Sequence, residues 1–413
     1  MKVILLTQYF PPETGAPQNR LYAIAQGLRK RGAEVTVLTA MPNYPDMRVH
    51  ERYRGKWSME EDMDGLRVIR AWLLVSAKRS ILWRLMNYFS FVFSSLVIGL
   101  FKLQRSDVLF VESPPLFLGI TAMLLARAKR AKLVFNVSDL WPESAVQLGL
   151  VTNPMLIRMS TWLEMKCYRR ASLITGQTQG IVDDIKLRCP DQNIMWLPNG
   201  VDFDAIAAAN DAPIMDPRSK LGIGVDDPVV AYAGIIGHAQ GLDVVLNAAV
   251  LLRERTNIHF LLIGDGPEKA MLLEMKTKLD PINVRFIDRM PRAELLSLMR
   301  SIDAVVVPLR KNDLFKGAIP SKIFEALALG KPLLLGVEGE AKRLFVDDAG
   351  AGLAYDPENA HSLAGAVRRV CDDRATAHEM GARGREYVRA HFDRDVLTER
   401  LWVELQAMTT AGR

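Results

Sequence analysis

The sequence predicts an α/β fold made of two doubly wound domains. Three observations support this prediction. The chain has 413 residues, more than one hydrophobic core usually holds. Short apolar runs typical of buried strands alternate with helical segments, the order that produces parallel sheets. This pattern occurs twice, and the stretch at 202–227 between the two series lacks sustained apolar periodicity, so we interpret it as a linker region.

The first series begins with an apolar run at 1–9 and a loop at 10–19 that is rich in turn residues. An amphipathic helix is predicted at 20–31, ended by Gly32, and a strand follows at 34–39. This order is a βαβ unit, whose right-handed crossover makes the two strands parallel. Further strands are predicted at 106–112, 132–137, 172–175 and 193–197.

A largely apolar and aromatic segment at 81–101 interrupts this series. It is long enough to span a bilayer, but a spanning helix in mid-domain would disrupt the parallel sheet. Two interpretations stay open: a helix buried against the sheet, or a helix that dips one face into a membrane interface with its basic residues on headgroups. Residues 1–197 hold 26 Lys and Arg against 16 Asp and Glu, which favours the second interpretation.

The second series predicts a domain that ends near residue 385. We therefore place an N-terminal domain at 1–197, a C-terminal domain at 198–385 and a C-terminal segment at 386–413, with a helix at 385–408. The strands of the second series are predicted at 229–233, 259–263, 284–287, 304–307 and 333–335.

The cysteines and the first residues of the chain indicate the cellular compartment in which the protein is expected. Cys167, Cys189 and Cys371 have no metal-ligand spacing, which favours a reducing cytoplasm without disulfides or a zinc site. The chain opens directly with a strand-like run, so we expect no signal peptide. We find no signature of nucleic-acid binding, although the first half is basic.

Ligands of open parallel sheets bind beyond the carboxyl ends of the strands, where five loops of this chain carry candidate residues. The first loop, at 11–20, contains Gly15 and Ala16, which allow the backbone to approach a ligand closely, together with the charged Glu13 and Arg20. The alternative is a plain turn. A dinucleotide fingerprint, Gly-x-Gly-x-x-Gly, is absent from this loop, which disfavours an oxidoreductase.

The next three loops each follow a predicted strand. Asp139 stands at the end of a buried strand, where it is suited to a polar role or, alternatively, to a helix N-cap. The loop at 234–241 leads into a helix expected at Leu242 and forms an anion-binding helix entry. Its His238 is equally an ordinary loop histidine or a catalyst. The loop at 264–267 resembles half of a dinucleotide fingerprint.

The fifth loop precedes a helix predicted at 322–329, with Ser321 as its N-cap and Gly330 as its stop. A helix start offers free backbone N–H groups and a positive dipole end, and Lys322 adds a full charge there. Glu325 lies one turn further on, where it can accept hydrogen bonds from sugar hydroxyls. We interpret this stretch as a cradle for a nucleotide diphosphate. The alternative is an ordinary turn with a solvated glutamate.

These motifs in this order resemble a family of retaining glycosyltransferases, family four, with the GT-B fold of two Rossmann-like domains facing across a cleft. The resemblance covers nearly the whole chain. The opening motifs are most similar to the fucosamine and related amino-sugar transferases of bacterial surface polysaccharide assembly, such as O-antigen and capsule. The motifs are Tyr9 to Ala16, Asp139 to Ser144, Leu197 to Asp202, Gly234 to Leu242, Ile263 to Pro267 and Pro320 to Pro332.

The resemblance implies a nucleotide-diphosphate sugar donor bound mainly by the C-terminal domain. Glu325 matches the second glutamate of the family's Glu-x7-Glu motif, which holds the ribose. Gly15 and Ala16 match the loop that approaches the donor phosphates, and the backbone at Arg289 and Met290 falls where the nucleobase binds. The last helix is expected to return to the N-terminal domain. The remaining donor-site residues are predicted to be Gly237, Gln240, Gly264, Asp265, Gly266, Pro320, Ser321 and Ile323.

The sequence departs from the family pattern at charged positions. Gly317 replaces the first glutamate of Glu-x7-Glu. The family's phosphate-binding Arg and Lys fall near Ile235 and at Gln240, so neither cation is present there. We expect Lys322 and Arg20 to neutralise the diphosphate instead, because the charge of the leaving group must be offset for its departure.

The family's catalytic-region histidine falls at Ser138, which leaves Asp139 as the polar group expected near the reacting centre. The resulting expectation is a metal-independent hexosyltransferase without cofactors. It would transfer a sugar, preferably an N-acetylated amino sugar, from a UDP-sugar to a saccharide linked to a polyprenyl diphosphate such as undecaprenyl diphosphate. Such an enzyme would be cytoplasmic and peripheral on the inner face of the cell membrane, held through its N-terminal domain.

Two alternatives stay open. A non-hydrolysing UDP-sugar 2-epimerase shares the two-domain architecture but needs paired acid/base carboxylates, for which the sequence offers only Glu13 and Asp139. A non-catalytic GT-B partner subunit is the other, because the two family cations are missing.

Overall fold

The computed structural model describes residues 1–13, 15–44, 47–76, 81–147, 151–211, 213, 216–281 and 283–410. The chain forms two compact α/β units. The first contains the chain up to Asn199 together with the C-terminal segment from Arg394, and the second runs from Gly200 to Asp393. Each unit has its own, mainly parallel sheet, which confirms the predicted fold class.

An eight-stranded sheet forms the centre of the first unit. Its strands are β1 (Lys2–Leu6), β2 (Glu34–Ala40), β3 (Ser58–Met63), β4 (Leu66–Ala71), β5 (Val108–Ser113), β6 (Lys132–Val137), β7 (Leu173–Gly176) and β8 (Ile194–Trp196). The spatial order is β3-β4-β2-β1-β5-β6-β7-β8, and every pair is parallel except β3 with β4. The order reverses direction beside β1, so the sheet is doubly wound, with its ligand end at the carboxyl ends of the strands.

The antiparallel β3–β4 hairpin is missing from the sequence prediction. Its turn, Asp64-Gly65, has positive φ at both residues, 54° and 79°, as a type I′ turn requires. The strand itself reads Ser-Met-Glu-Glu-Asp-Met and lies at the sheet edge. A charged edge strand lacks the apolar run that identified the buried strands.

Helices cover both faces of this sheet. They are α1 (Ala16–Lys30), α2 (Ile81–Lys102), α3 (Leu118–Lys129), α4 (Glu143–Gln147), α5 (Pro154–Arg170), α6 (Gln179–Arg188) and α16 (Arg394–Thr410). One apolar core joins α2, α3, α5 and α6 to one face, and a second core joins α1 and α16 to the other. Helix α1 begins four residues before the predicted start, because Pro17 fits the first turn of a helix.

Helix α2 has one core face and one exposed face. Among the described residues, its stretch from Trp83 to Lys102 is long and apolar enough, by length and composition, to cross a bilayer. Phe91 and Ile98 nevertheless pack into the core against the sheet, whereas Phe93 and Phe101 are exposed to solvent. The interpretation as a helix buried against the sheet therefore holds for one face of α2.

A six-stranded parallel sheet forms the centre of the second unit. Its strands are β9 (Val229–Ala233), β10 (His259–Ile263), β11 (Val284–Ile287), β12 (Ala304–Pro308), β13 (Leu333–Gly336) and β14 (Gly352–Ala354). The spatial order is β11-β10-β9-β12-β13-β14. Its helices are α7 (Phe203–Asp211), α8 (Arg218–Leu221), α9 (Asp243–Leu251), α10 (Lys269–Leu279), α11 (Arg292–Met299), α12 (Lys322–Ala328), α13 (Glu340–Lys342), α14 (Ala360–Asp372) and α15 (Arg374–Phe392).

Two sequence predictions at the ends of this unit are wrong. The segment at 202–227 is not a simple linker, because it contains α7 and α8, and Ile206 of α7 is fully buried. The single helix predicted at 385–408 is two helices, α15 and α16, separated at Asp393, which has extended backbone. Their apolar residues face different cores, Phe392 in the second unit and Leu401 in the first.

Arg31 anchors α16 to α1 within the first unit. Its guanidinium contacts Asp395 at 3.0 Å and Glu399 at 2.5 Å. Because both carboxylates are largely exposed, Arg31→Ala should cost only about 1 kcal/mol of the local stability of α16. Amide hydrogen exchange of α16 measures this loss as faster exchange. Arg400→Ala, at another exposed position of α16, is the control and should leave the exchange unchanged.

Candidate functional site

Two glycine-containing loops meet at the carboxyl ends of β9 and β10. A Cβ atom on Gly264 would lie 1.9 Å from the carbonyl oxygen of Gly234, and one on Gly266 would lie 2.3 Å from that of Ile236. The Ile236 amide donates to the carbonyl of Asp265 at 2.9 Å. The structure therefore brings together two loops that the sequence predicted as donor-binding. Their glycines are needed for this close approach of the two backbones.

This contact makes a stability prediction. Gly264 has φ of 142°, so an added side chain meets both backbone strain and the carbonyl of Gly234. Gly264→Ala should lower the free energy of unfolding by about 1–3 kcal/mol, measured by urea denaturation. Gly365→Ala on α14 is the matched control, because nothing lies within 4 Å of its added Cβ. An equal effect of the two variants would contradict the close approach.

Lys322, the first residue of α12, lies against the first of these loops, at Gly234. Its Nζ atom is 3.7 Å from the centroid of the Tyr232 ring and 3.1 Å from the position of a Cβ on Gly234. Within the described part of the chain, no carboxylate pairs with this amino group. Burial lowers the pKa of Lys322 to about 7. The result is a half-buried amino group at the carboxyl end of the sheet, without a counter-ion among the described residues.

The start of α12 corrects one detail of the sequence prediction. Ser321 occupies the N-cap position, but its backbone is helical, with φ of −60° and ψ of −25°, and its side chain makes no capping hydrogen bond. The Ile323 amide instead donates to the carbonyl of Pro320 at 3.1 Å in a tight turn. Ser321 is exposed, so its hydroxyl is available to a ligand. The predicted helix end is confirmed, because Gly330 has φ of 70°.

Glu325 is held by an arginine that the sequence analysis did not identify. Arg292, at the start of α11, donates from Nε at 3.0 Å and from Nη2 at 2.8 Å, and both bonds end on Oε1 of Glu325. The second carboxylate oxygen, Oε2, takes no part in this pair. Arg292 lies just after Arg289 and Met290, whose backbone is predicted to bind the nucleobase. Its side chain therefore connects this segment to Glu325, the carboxylate predicted to bind the ribose.

The loop at 234–241 leads into a helix as predicted, with Leu242 as the N-cap of α9, and contains a short additional turn. His238 to Gln240 form a 3-10 turn ended by Gly241 with φ of 56°, and α9 follows. Gly237 and Gln240 lie together, since a Cβ on Gly237 would meet the Gln240 side chain at 2.9 Å. His238 is paired through Nδ1 with Glu268 at 2.9 Å.

Arg310, which follows β12, is a second arginine absent from the sequence prediction. It donates to the carbonyl of His238 at 3.1 Å and to Asp243 and Glu358. Its position directly after a strand was the only feature of the sequence that could have identified Arg310 as a site residue.

Arg20 and Asp139 belong to the first unit. Arg20 is buried and donates to Glu112 at 2.6 Å and to Ser138 Oγ at 2.7 Å. Asn136 completes this network by donating to Glu112 at 2.5 Å. Arg20, which was predicted to help neutralise the donor diphosphate, is thus already paired with a carboxylate of its own unit. Its Nε and Nη1 atoms are buried without a hydrogen-bond partner among the described residues.

Two carboxylates of the first unit are perturbed by burial. Asp139 accepts a hydrogen bond from Ser144 Oγ at 2.8 Å, and burial raises its pKa. Burial also raises the pKa of Glu13, which accepts bonds from the Asn43 and Tyr44 amides at 2.7 and 2.8 Å. Asp139 and Glu13 therefore have different hydrogen-bond partners. None of these contacts joins the two carboxylates into the acid/base pair that an epimerase needs.

The remaining predicted residues of the first unit lie at the start of α1. Gly15 is the N-cap residue, and Ala16 begins the helix. A Cβ on Gly15 would meet the Gln18 side chain, at 2.4 Å. Over the described ranges, no three or more His, Cys, Asp or Glu side chains group closely enough to hold a metal ion.

Comparison with known proteins assigns both units to one enzyme class. The family model "Glycosyl transferase 4-like domain" matches residues 15–200, and the model "Glycosyl transferases group 1" matches residues 215–387. The chain is 25% identical to the putative colanic acid biosynthesis glycosyl transferase WcaI of Escherichia coli (strain K12), over 90% of this chain and 92% of that protein.

Solved structures support the same fold. Sucrose-phosphate synthase from Thermosynechococcus elongatus is similar with a TM-score of 0.74, at 18% identity and over 100% of both chains. Anabaena HepE, solved in complex with UDP-glucose, is similar with a TM-score of 0.70, at 17% identity, over 98% of this chain and 100% of that chain. These structures show the GT-B fold. The two family models together cover most of the chain, which therefore belongs to the glycosyltransferases, with a glycosyl transferase 4-like domain followed by a domain of the glycosyl transferases group 1.

Proposed function

We propose that this glycosyltransferase uses a UDP-sugar donor, preferably of an N-acetylated amino sugar. The observation that carries the proposal is the half-buried Lys322, whose amino group lies beside the glycine loop at Gly234 and has no carboxylate partner among the described residues. A diphosphate supplies the missing negative charge. The solved complex of HepE with UDP-glucose supports UDP as the nucleotide, since that protein shares the fold.

The donor-binding residues have different roles in binding the phosphates, the ribose and the base. Lys322 offsets the charge of the departing diphosphate, a task that needs no metal ion. Oε2 of Glu325 accepts from the ribose hydroxyls while Arg292 holds Oε1. The backbone at Arg289 and Met290 meets the base. Gly264, Asp265, Gly266, Gly237 and Gln240 line the approach of the phosphates and sugar, together with Pro320, Ser321 and Ile323 at the start of α12.

The acceptor side is assigned to the first unit. Asp139 supplies a polar group near the reacting centre, and Gly15 and Ala16 approach the donor phosphates. Arg20 retains two unpartnered nitrogen atoms for an anion, although Glu112 already balances its charge. Transfer proceeds with retention of configuration by front-face substitution, in which the departing phosphate oxygen takes the proton of the acceptor hydroxyl.

The acceptor is a saccharide linked to a polyprenyl diphosphate. Similarity to a colanic acid glycosyl transferase and the basic, partly apolar first unit support this class of acceptor. The enzyme then works at the cytoplasmic face of the membrane, bound peripherally through the first unit.

A transfer assay tests the proposal. Purified enzyme is incubated with a panel of UDP-, GDP- and ADP-sugars, with and without a polyprenyl-diphosphate-linked saccharide. We expect a glycosylated lipid and free UDP from a UDP-sugar, with the anomeric configuration retained in the product. Transfer from a GDP- or ADP-sugar alone would refute the UDP assignment. Conversion of the UDP-sugar without an acceptor would point to the epimerase, and binding without turnover to a non-catalytic subunit.

A further inference from the structure

Helices α2, α3 and α5 form one continuous layer on the first unit. A Cβ on Gly99 of α2 would lie 2.7 Å from Leu125 of α3, and one on Gly119 of α3 would lie 2.4 Å from Cys167 of α5. These glycines let neighbouring helices pack closely. The inner sides of all three helices share one core with the sheet. Their outer sides therefore form a single exposed surface, which we call the outer helical surface.

This surface exposes an unusual number of large apolar side chains. Phe101 of α2 is 85% exposed, and Met155 and Trp162 of α5 are 70% and 61% exposed. Surface apolar residues are normally scattered singly, whereas a cluster marks an interaction site. On α5 they recur at helical spacing along one side. The set comprises Met86, Phe89, Phe93, Leu100 and Phe101 on α2, Leu124 on α3, and Met155, Leu156, Met159 and Trp162 on α5.

The charges of the same helices all have one sign at the surface. The three helices carry eight Lys or Arg residues and one acidic residue, Glu164. Glu164 is 2% exposed and is paired with Arg188 at 2.7 Å. The Lys166 ammonium lies 4.6 Å from the ring centroid of Trp162, so apolar and basic groups are interleaved. A surface of this composition complements an anionic and apolar partner.

We propose that the outer helical surface docks on an anionic lipid bilayer, with α5 as well as α2 inserting side chains at the interface. The inference rests on the proposed lipid-linked acceptor and extends it, because the sequence predicted only the segment at 81–101 as membrane-facing. Interfacial helices combine aromatic and aliphatic side chains on one side with Lys and Arg beside them, as this surface does. Each basic residue near an anionic surface adds attraction of the order of 1 kcal/mol.

Vesicle co-sedimentation tests the proposal with the full chain. The probes are vesicles of phosphatidylcholine alone and of phosphatidylcholine with 30% phosphatidylglycerol. We expect binding to the anionic vesicles, weakened about tenfold by Met159→Ser with Trp162→Ser on α5. Val396→Ser with Val403→Ser is the matched control, because these exposed residues lie on α16, across the sheet. Thermal melting of each variant verifies that the fold is intact.

Several outcomes would overturn the inference. These are no binding of the wild type, equal binding to neutral and anionic vesicles, or equal loss in the α16 control. Binding that depends on Phe93→Ser with Phe101→Ser but not on the α5 pair would restrict the contact to α2 and so refute a joint surface. Lipid-free self-association that the α5 pair abolishes would identify a second copy as the partner. UDP binding, measured separately by calorimetry, keeps a failure here distinct from a failure of the proposed donor.

Discussion

Replacing Lys322 with methionine is expected to lower kcat for sugar transfer by about 10²–10³-fold. The variant keeps most of the length of the side chain but removes the charge that offsets the departing diphosphate. That charge matters most in the transition state, so kcat should fall more than the affinity for donor. Steady-state kinetics with a UDP-sugar and the lipid-linked acceptor measure both effects.

Lys331→Met is the matched control for this variant. Lys331 is also half-buried on the same segment, and burial lowers its pKa, but its amino group donates to the carbonyl of Arg300 at 2.7 Å. Its loss should reduce stability and leave kcat near the wild-type value. Equal kcat for wild type and Lys322→Met would contradict the assigned role of Lys322.

The pH dependence of donor binding gives a second readout for Lys322. Its pKa of about 7 in the free enzyme means that the amino group loses its proton as the pH rises through 7. The protonated form binds the diphosphate, so UDP affinity should fall above pH 7 and binding should take up protons. Calorimetry in buffers of different ionisation enthalpy detects this uptake. The Lys322→Met variant should lose the uptake.

Replacing Glu325 with glutamine is expected to weaken UDP binding by about 10- to 100-fold, the range for losing a hydrogen bond to a charged group. Glutamine retains the shape of the side chain but loses the negative charge. That charge pairs with Arg292 and strengthens the hydrogen bonds that Glu325 accepts from the ribose hydroxyls. Titration calorimetry on wild type and variant measures the change. UDP binding that is unaffected by the substitution would mean that the 317–325 assignment is wrong.

Arg292 separates two explanations of that loss. If Arg292 orients Glu325, then Arg292→Met also weakens UDP binding, and the two substitutions together cost less than the sum of their separate effects. If Arg292 instead competes with the ribose for the carboxylate, then Arg292→Met strengthens binding. We expect the first result, because both Arg292 bonds end on Oε1 and Oε2 is left to the ribose.

The fold was predictable where strands are fully buried. The strands β6, β9 and β10 have the predicted limits, because parallel strands covered on both faces are continuous apolar runs. The edge strand β11 also has the predicted limits, although it is mostly half-buried and contains Arg285. Strand β3 escaped prediction because its charged residues sit at an open edge. The break between α15 and α16 at Asp393 was also not predictable, because the sequence on both sides is typical of a helix. The two helices differ only in the core against which each one packs.

The candidate site was predictable in part. Glycines after strand ends identified the loops that meet at Gly234 and Gly264, because close backbone approach has a sequence signature. The hydrogen-bond partners of the charged residues have no such sequence signature. Arg292 and Glu325 are 33 residues apart, and Arg20 and Glu112 are 92 apart, so these pairs exist only once the chain has folded.

The most direct test of the donor assignment is a calorimetric titration of the wild-type protein with UDP and with NAD. The proposed site predicts saturable binding of UDP and none of NAD, because the chain lacks the dinucleotide fingerprint in its first strand–loop–helix unit. Binding of NAD without binding of UDP would contradict the account, and failure of both would refute UDP as the nucleotide.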